Sequence, residues 1–209
     1  MIGLHPMNDL YAAVVHDVKN QLAELSLRLG GRSDAQQEMV MAMNASRRLS
    51  EMLLLHRQAN DLLEINLDSV NPADFLAILV AEYRELFPEL VIETHTASAP
   101  VFAFFDDGLL RMALGNAVHN ACRAAHSKVQ VAAYEQDKML VFEVADNGPG
   151  YPERILLDSG AKPSAVSGHG TGLGLYLARK ISELHHLQGR HGYIELSNAG
   201  GAVFRVFLP

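Results

Sequence analysis

The chain has 209 residues, 49% of them hydrophobic, which is enough for one or two domains with a real core. Its formal net charge of −7 argues against a nucleic-acid-binding protein, because such proteins are usually basic. A single cysteine, Cys122, excludes an intramolecular disulfide and favours a reducing cytoplasm. No run of roughly 18 apolar residues and no signal peptide is found, so we expect a soluble protein without membrane insertion.

The first part of the chain predicts two long helices joined by a short turn. Within residues 8–29 the apolar side chains recur at alternating steps of three and four, which is the seam of a coiled-coil helix. Gly30 and Gly31 interrupt this pattern, and a second helix is expected over residues 35–66. Such a hairpin cannot bury its own apolar stripe. We therefore expect two copies to pair as a homodimer with a four-helix bundle.

After a predicted boundary near residue 70, the pattern changes to mixed α and β. We expect a helical hairpin over residues 1–69 and an α/β sandwich over 70–209, with helices on one face of a mixed sheet. The predicted elements of the sandwich, in chain order, are a helix at 73–87, strands at 90–96 and 101–105, a helix at 107–125, strands at 128–136 and 139–145, a loop at 147–170, a helix at 172–187, and strands at 191–197 and 202–208.

Polar side chains suited to a nucleotide occur on the predicted helix 107–125. Asn116 and Asn120 are four residues apart and so share a face, and Arg123 follows one turn later. Amide oxygens are good ligands for Mg²⁺, and a guanidinium suits phosphate oxygens. Taken alone, two asparagines on a helix are more often solvated or capping amides.

A short acidic and glycine-containing motif, DNGPG, ends a predicted strand. The carboxylate of Asp146 can accept a hydrogen bond from the exocyclic amine of adenine. Gly148 and Gly150 allow the backbone to approach a ligand closely and to adopt unusual dihedral angles. Turns of this composition are common, so the motif does not identify a site by itself.

The run GHGTGLGL is more specific, because it opens a predicted helix and so places backbone amides where phosphates bind. It does not follow a strand in a βαβ unit, which excludes a dinucleotide-binding fingerprint. The candidate nucleotide-binding residues in this run are Gly168, Gly170, Thr171, Gly172, Leu173 and Gly174.

The runs GNAVHNACRAA, DNGPG and GHGTGLGL together resemble the ATP site of the superfamily that includes gyrase, Hsp90, histidine kinases and MutL. They occur in that superfamily's order and spacing, and the resemblance covers roughly residues 70–209. It implies a pocket for ATP and Mg²⁺, closed by the loop between Asp146 and Gly168. That loop is short, and it lacks the Phe-containing box of many histidine kinases.

The run HDVKNQL on the first helix resembles the phosphoacceptor box of two-component sensor histidine kinases. The resemblance implies that His16 accepts the phosphoryl group and that Asp17 takes the imidazole proton. It also implies that Asn20 orients a water for attack on a phosphoaspartate, which makes the enzyme bifunctional. An isolated helix histidine usually has no such role, so the hypothesis depends on the ATP-type domain that follows.

We therefore expect a soluble sensor-type histidine kinase that autophosphorylates from ATP and passes the phosphoryl group to a response-regulator aspartate. A separate sensor protein would supply the signal. The alternative is a histidine phosphotransferase with an inactive ATP-like domain; a protein-serine kinase of the anti-sigma-factor type and a non-enzymatic scaffold are further rivals. His185 and His186 are expected to end a helix, where cations are mildly favoured, and with His191 they have poor spacing for a metal site.

Overall fold

The computed structural model describes residues 14–15, 17–25, 28, 36–59, 63–158 and 173–209. The chain divides into two compact units, Met1–Leu63 and Glu64–Pro209. None of the described helices is both long and apolar enough to cross a lipid bilayer.

The described part of the first unit is almost entirely helical. Residues 14–15, 17–25 and 28 are helical, and α1 spans Gln36–Ala59. The second helix was expected to continue to residue 66, which is wrong, because residues 63–67 have no regular structure. The backbone N–H of Asn66 donates instead to Oδ2 of Asp106 at 2.9 Å, a bond within the second unit.

The second unit is a mixed sheet with packed helices, as expected. Its helices are α2 (Pro72–Leu86), α3 (Asp107–Ala124), α4 (Glu153–Asp158) and α5 (Leu173–Leu184). Its strands are β1 (Asp68–Val70), β2 (Val91–Ser98), β3 (Ala103–Phe105), β4 (Lys128–Gln136), β5 (Met139–Asp146), β6 (His186–Leu187), β7 (Arg190–His191), β8 (Tyr193–Asn198) and β9 (Ala202–Leu208).

The main sheet has the strand order β2-β4-β5-β9-β8. Strands β2 and β4 run parallel, and the other neighbouring pairs in this sheet run antiparallel. Strands β1 and β3 form a separate antiparallel pair, as do β6 and β7. Helices α2, α3 and α5 contact the main sheet, so the core lies between these helices and the strands.

The core is built from alternating strand residues and from helix stripes. On the strands, burial alternates along β4, which is typical of a sheet covered on one face. Phe75 of α2 contacts Phe105 and Phe142 edge-on, with ring centroids 5.3 and 5.6 Å apart. Burying an aromatic or leucine side chain of this kind contributes roughly 1.5–3 kcal/mol. Completely or almost completely buried side chains include Leu76, Leu79, Leu110, Leu114, Leu177, Ile181, Val129, Val131, Phe142, Phe204 and Val206.

Side-chain caps set where two of these helices begin. Oδ1 of Asn71 accepts from the backbone N–H groups of Ala73 and Asp74 at 2.8 and 3.2 Å, and Pro72 occupies the first turn of α2. Asp106 caps α3 by accepting from the N–H of Leu109 at 2.9 Å. Caps of this kind stabilise a helix by about 1 kcal/mol each.

The last helix is shorter than expected. It ends at Leu184 and not at residue 187, because Gln188 and Gly189 have φ angles of 50° and 81° and turn the chain into the β6–β7 hairpin. The strand expected from residue 191 therefore begins at Tyr193. Two further elements were not predicted, namely β1 and the one-and-a-half-turn helix α4 within the expected loop.

Candidate nucleotide site

Helix α3 carries the two asparagines of the predicted site, and its apolar face fixes their positions. Asn116 is 2% exposed, whereas Asn120 and Arg123 are exposed. The helix is held against α2 by Tyr83, whose hydroxyl donates to the carbonyl oxygen of Gly115 at 2.8 Å. Asn116 therefore faces the protein interior, while Asn120 and Arg123 face solvent one and two turns further on.

The start of α5 lies against Asn116. A Cβ atom added to Gly174 would be 3.4 Å from Cβ, Cγ and Nδ2 of Asn116, which is closer than most Cβ contacts. The start of α5 is thus in close contact with the side chain of Asn116. The structure brings this part of the predicted phosphate-binding motif next to the first asparagine, although 58 positions separate them in sequence (174 − 116).

The acidic glycine motif lies against the end of the same helix. A Cβ atom on Gly148 would be 2.2 Å from the carbonyl oxygen of Ala124, so only glycine fits there. Oδ1 of Asp146 accepts from the N–H of Gly148 at 2.8 Å. Along α3, a rise of about 1.5 Å per residue places this contact about 12 Å from Asn116. Helix α3 is therefore the element that both motifs share.

Asn147, within the DNGPG motif, anchors the connection between α3 and β4. Its Oδ1 accepts from the backbone N–H groups of His126, Ser127 and Lys128 at 3.0, 3.1 and 3.0 Å. Its Nδ2 donates to Oγ of Ser127 at 2.9 Å. The sequence analysis did not single out Asn147, although the tendency of asparagine to bond to backbone groups in turns is a signal for such a role.

Burial changes the acidity of two groups near Asp146. It raises the pKa of the Cys122 thiol to about 12, with the charges of Glu89 and Asp146 adding to the effect. Burial also raises the pKa of the Tyr151 phenol, and the Asp146 charge adds to that shift. Both groups are therefore neutral near pH 7. Cys122 is 4% exposed and is a core residue, as the sequence analysis expected.

Several predicted site residues lie outside the described residues. These are His16 of the phosphoacceptor run, and Gly168, Gly170, Thr171 and Gly172 of the glycine-rich run. Leu173 and Gly174 are the first two residues of α5. Asp17 and Asn20 are helical and exposed, and their spacing of three places them on one face of the helix.

His185 and His186 directly follow the end of α5 at Leu184, close to where the sequence analysis placed them. His185 is 2% exposed, its Nε2 accepts from the N–H of Asp106 at 3.1 Å, and its Nδ1 bonds to the carbonyl of Ile181 at 2.8 Å. Burial lowers the pKa of His185, so the ring is neutral and joins α5 to the start of α3. The rings of His186 and His191 stack at 5.6 Å. Within the described ranges no group of three or more His, Cys, Asp or Glu side chains is arranged to hold a metal.

Helix α3 carries the two asparagines and contacts both the DNGPG segment and the start of α5, on one face of a mixed sheet. This arrangement defines a nucleotide-binding α/β domain. Residues 105–209 match the model of the histidine kinase-, DNA gyrase B- and HSP90-like ATPases, and the chain belongs to this family. The resemblance inferred from the three motifs is thereby confirmed. Membership of this family implies that the domain binds ATP.

The relatives are sensor histidine kinases. The chain is 38% identical to the signal transduction histidine-protein kinase AfsQ2 of Streptomyces coelicolor over 120 residues, covering 54% of this chain and 22% of that protein. It is 30% identical to the sensor protein kinase PmrB of Pseudomonas aeruginosa over 167 residues, covering 77% of this chain and 35% of that protein. The chain thus spans about a fifth to a third of these two relatives.

A solved structure of full-length ShkA in complex with AMPPNP has the same fold. It superposes with a TM-score of 0.67 at 21% identity, covering 96% of this chain and 45% of ShkA. At this identity the similarity concerns the fold alone. The fold and the curated relatives together agree with the expectation of a sensor kinase drawn from the sequence.

Proposed function

We propose that this chain is the catalytic part of an ATP-dependent protein-histidine kinase of a two-component system. The observation that carries the proposal is the convergence on α3, where Gly174 packs on Asn116 and Gly148 packs on Ala124. These contacts gather the three nucleotide motifs around one helix in a chain that belongs to an ATPase family. In this proposal residues 70–209 bind ATP and residues 1–69 carry the phosphoacceptor.

Each motif has a role in the proposed site. Asp146 accepts from the adenine amine, while Gly148 and Gly150 let the loop that carries it pack closely on Ala124 and Asn198. Asn116 and Asn120 would hold Mg²⁺ through their amide oxygens, because oxygen donors suit a hard cation. Mg²⁺ would offset the charge of the phosphates. Arg123 binds phosphate oxygens, and the glycine-rich run from Gly168 to Gly174 donates its backbone amides to them.

The proposed reaction is a phosphoryl transfer to nitrogen. A ring nitrogen of His16 forms a bond to the γ-phosphorus as the bond from that phosphorus to the β–γ bridging oxygen breaks, and ADP leaves. The proton of the imidazole passes to Asp17. The phosphoryl group then moves to an aspartate of a response-regulator receiver domain. Asn20, on the same helix face as Asp17, orients a water that attacks the phosphoaspartate of the regulator, which releases inorganic phosphate and is the phosphatase function.

The proposal also covers the oligomeric state, the source of the signal and the cellular compartment. Two chains pair through their helical hairpins, and a separate sensor protein supplies the signal. Exposed apolar side chains in the first unit support the pairing; they are Val14, Val18, Leu25, Met41 and Met52. A buried single thiol suits a reducing compartment, and we place the catalytic part in the cytoplasm.

Autophosphorylation tests the proposal directly. The purified chain, His16→Ala and Asn120→Ala are incubated with Mg²⁺ and ATP labelled at the γ-phosphate, and acid-labile, base-stable label is measured. We expect label on the parent and none on His16→Ala, because the acceptor nitrogen is gone. Asn120→Ala should bind nucleotide weakly with Mg²⁺ and take up little label.

The same experiment separates the alternatives. Label that persists on His16→Ala would move the acceptor to another residue and contradict the assigned role of His16. A parent that neither takes up label nor binds ATP would favour the histidine phosphotransferase with an inactive ATP-like domain. That protein would still accept a phosphoryl group from a phosphorylated receiver domain.

A further inference from the structure

The segment that follows Asp146 is held from a distant part of the chain, the turn between β8 and β9 (residues 198–202, the β8–β9 turn). Oδ1 of Asn198 accepts from the backbone N–H of Tyr151 at 2.8 Å. Nδ2 of Asn198 donates to the carbonyl oxygen of Tyr151 at 3.0 Å. One side-chain amide therefore satisfies both backbone groups of a single residue, which fixes the peptide units on either side of it.

Asn198 also lies directly against the last glycine of the DNGPG motif. Gly150 has a φ angle of +81°, which side-chain-bearing residues rarely adopt. A Cβ atom at this position would be 2.8 Å from Oδ1 of Asn198. The glycine is therefore required twice, by its backbone conformation and by the amide packed on it.

The other end of the β8–β9 turn holds the start of the same motif. A Cβ atom on Gly201 would be 1.9 Å from the carbonyl oxygen of Asp146, so the two backbones are in contact. The N–H of Ala202 donates to Oδ1 of Asp146 at 3.3 Å, and the N–H of Gly148 donates to the same oxygen at 2.8 Å. Both bonds use Oδ1 and so fix the rotation of the carboxylate. The β8–β9 turn is thus bonded to both ends of the segment from Asp146 to Tyr151.

We propose that Asn198 is a positioning residue for nucleotide binding, which holds the loop from Asp146 to Tyr151 in the conformation that receives the adenine base. This inference rests on the proposed ATP site. Asn198 acts through the loop backbone and does not contact the nucleotide. A loop that is already ordered loses less conformational entropy on binding, so its anchor contributes to affinity without touching the ligand.

The test is a comparison of the full chain with Asn198→Ala, which removes both bonds to Tyr151. We expect the Kd of an ATP analogue to rise about tenfold, in keeping with the loss of two hydrogen bonds. In autophosphorylation the KM for ATP should rise by a similar factor while kcat stays within about twofold, because the groups around the γ-phosphate are unchanged. A merely structural role would lower the active fraction, and hence kcat, without raising KM.

Two variants make the test specific. Asn198→Asp keeps the acceptor for the N–H of Tyr151 and loses the donor, so its Kd should lie between those of the parent and Asn198→Ala. Glu195→Ala changes an exposed side chain of the same strand and should bind like the parent. Gly150→Ala and the double variant Gly150→Ala with Asn198→Ala complete a double-mutant cycle. The increase in Kd of the double variant should be smaller than the two single effects combined, because both positions act on one loop.

The outcomes are distinguishable. Equal affinity of the parent and Asn198→Ala, with the parent binding the ATP analogue well, would overturn the positioning role and leave the proposed function intact. A raised Kd accompanied by an equal loss for Glu195→Ala would also overturn it, because the effect would then be general to the strand. A parent that fails to bind the analogue would overturn the proposed function itself and, with it, this inference.

Discussion

At the residue scale, a few polar side chains in this chain connect elements that are far apart in sequence. His185 bonds to the backbone of Asp106, which is 79 positions away. Asp106 in turn caps α3 and accepts from the N–H of Asn66. These few side chains tie the last helix, the start of α3 and the entry into the second unit into one cluster. Each can be tested by a single substitution.

The state of His185 predicts a loss of stability in mild acid. Its folded pKa is lowered from 6.5 by burial, so the folded state favours the neutral ring. This contribution is therefore complete above about pH 6.5 and is lost as the pH falls from there through the folded pKa. The thermal unfolding midpoint, measured between about pH 5 and about pH 8, should fall in acid for the parent and less steeply for His185→Gln.

An exposed histidine is the matched control for that series. His126 is exposed, so His126→Gln should show the same pH dependence as the parent. A parent midpoint with the same acid dependence as His185→Gln would contradict the assignment of a neutral, buried ring.

The single cysteine gives a second prediction at this scale. Because burial raises the pKa of Cys122 to about 12, almost no thiolate exists near neutral pH, and the thiolate is the reactive form. The native chain should therefore resist alkylation by iodoacetamide, and the denatured chain should be labelled fully. Mass spectrometry measures the label, and rapid labelling of the native chain would show that Cys122 is accessible.

At the element scale, the site depends on how α3 ends and β4 begins. The connection is short, and its three successive N–H groups converge on the side chain of Asn147. Since Asn147 belongs to the segment that follows β5, this contact couples the position of the acidic motif to the end of α3. The relative position of the nucleotide motifs is thus set by hydrogen bonds between elements. Removing such a bond should lower both the free energy of unfolding and the affinity for nucleotide.

Asn147→Ala should lower the free energy of unfolding by about 2 kcal/mol, because it leaves three backbone donors without their acceptor. Urea denaturation measures this change. Ser127→Ala removes only the bond from Nδ2 of Asn147 to Oγ and should cost less, about 0.5 kcal/mol. Equal losses for the two variants would show that the acceptor role of Asn147 contributes little.

At the scale of the whole molecule, the first unit presents exposed apolar side chains on its helices. In the first unit Val15, Ala42 and Leu54 are buried, while a second set of apolar side chains stays exposed. Val14 and Val18 are four residues apart, and Met41 and Met52 are eleven apart, so each pair lies on one helix face. Exposed stripes of this kind fit helices that pack on a second copy.

The proposed dimer predicts a measurable change in mass. Light scattering after size-exclusion chromatography should give twice the 22.9 kDa of one chain for the parent. Introducing charge with Val18→Asp and Met52→Asp together should shift the mass towards one chain, because two carboxylates would be buried in the bundle. Leu157→Asp alters an exposed leucine of the second unit and should remain dimeric; a parent that runs as a monomer would contradict the pairing.

The sequence by itself determined the family and those elements whose pattern is local. Apolar alternation along β4 and β5 and the helical period of α3 depend on neighbouring residues, so these elements end within one residue of the predicted bounds. The order of the three nucleotide motifs was likewise sufficient to indicate an ATPase domain. The sequence pattern did not predict the turn at Gln188 and Gly189. There Gln188, which is not a glycine, adopts a positive φ, and α5 ends earlier than expected.

Only the tertiary structure decided which side chains hold the site together. Asn116 and Asn120 share a helix face, yet one is buried against Gly174 and the other is exposed. Asn198 bonds to Tyr151 across 47 positions. His185 is neutral because it is enclosed, although its place after a helix favoured a cation. These roles depend on contacts between residues that are distant in sequence, and such contacts exist only once the sheet and helices have packed.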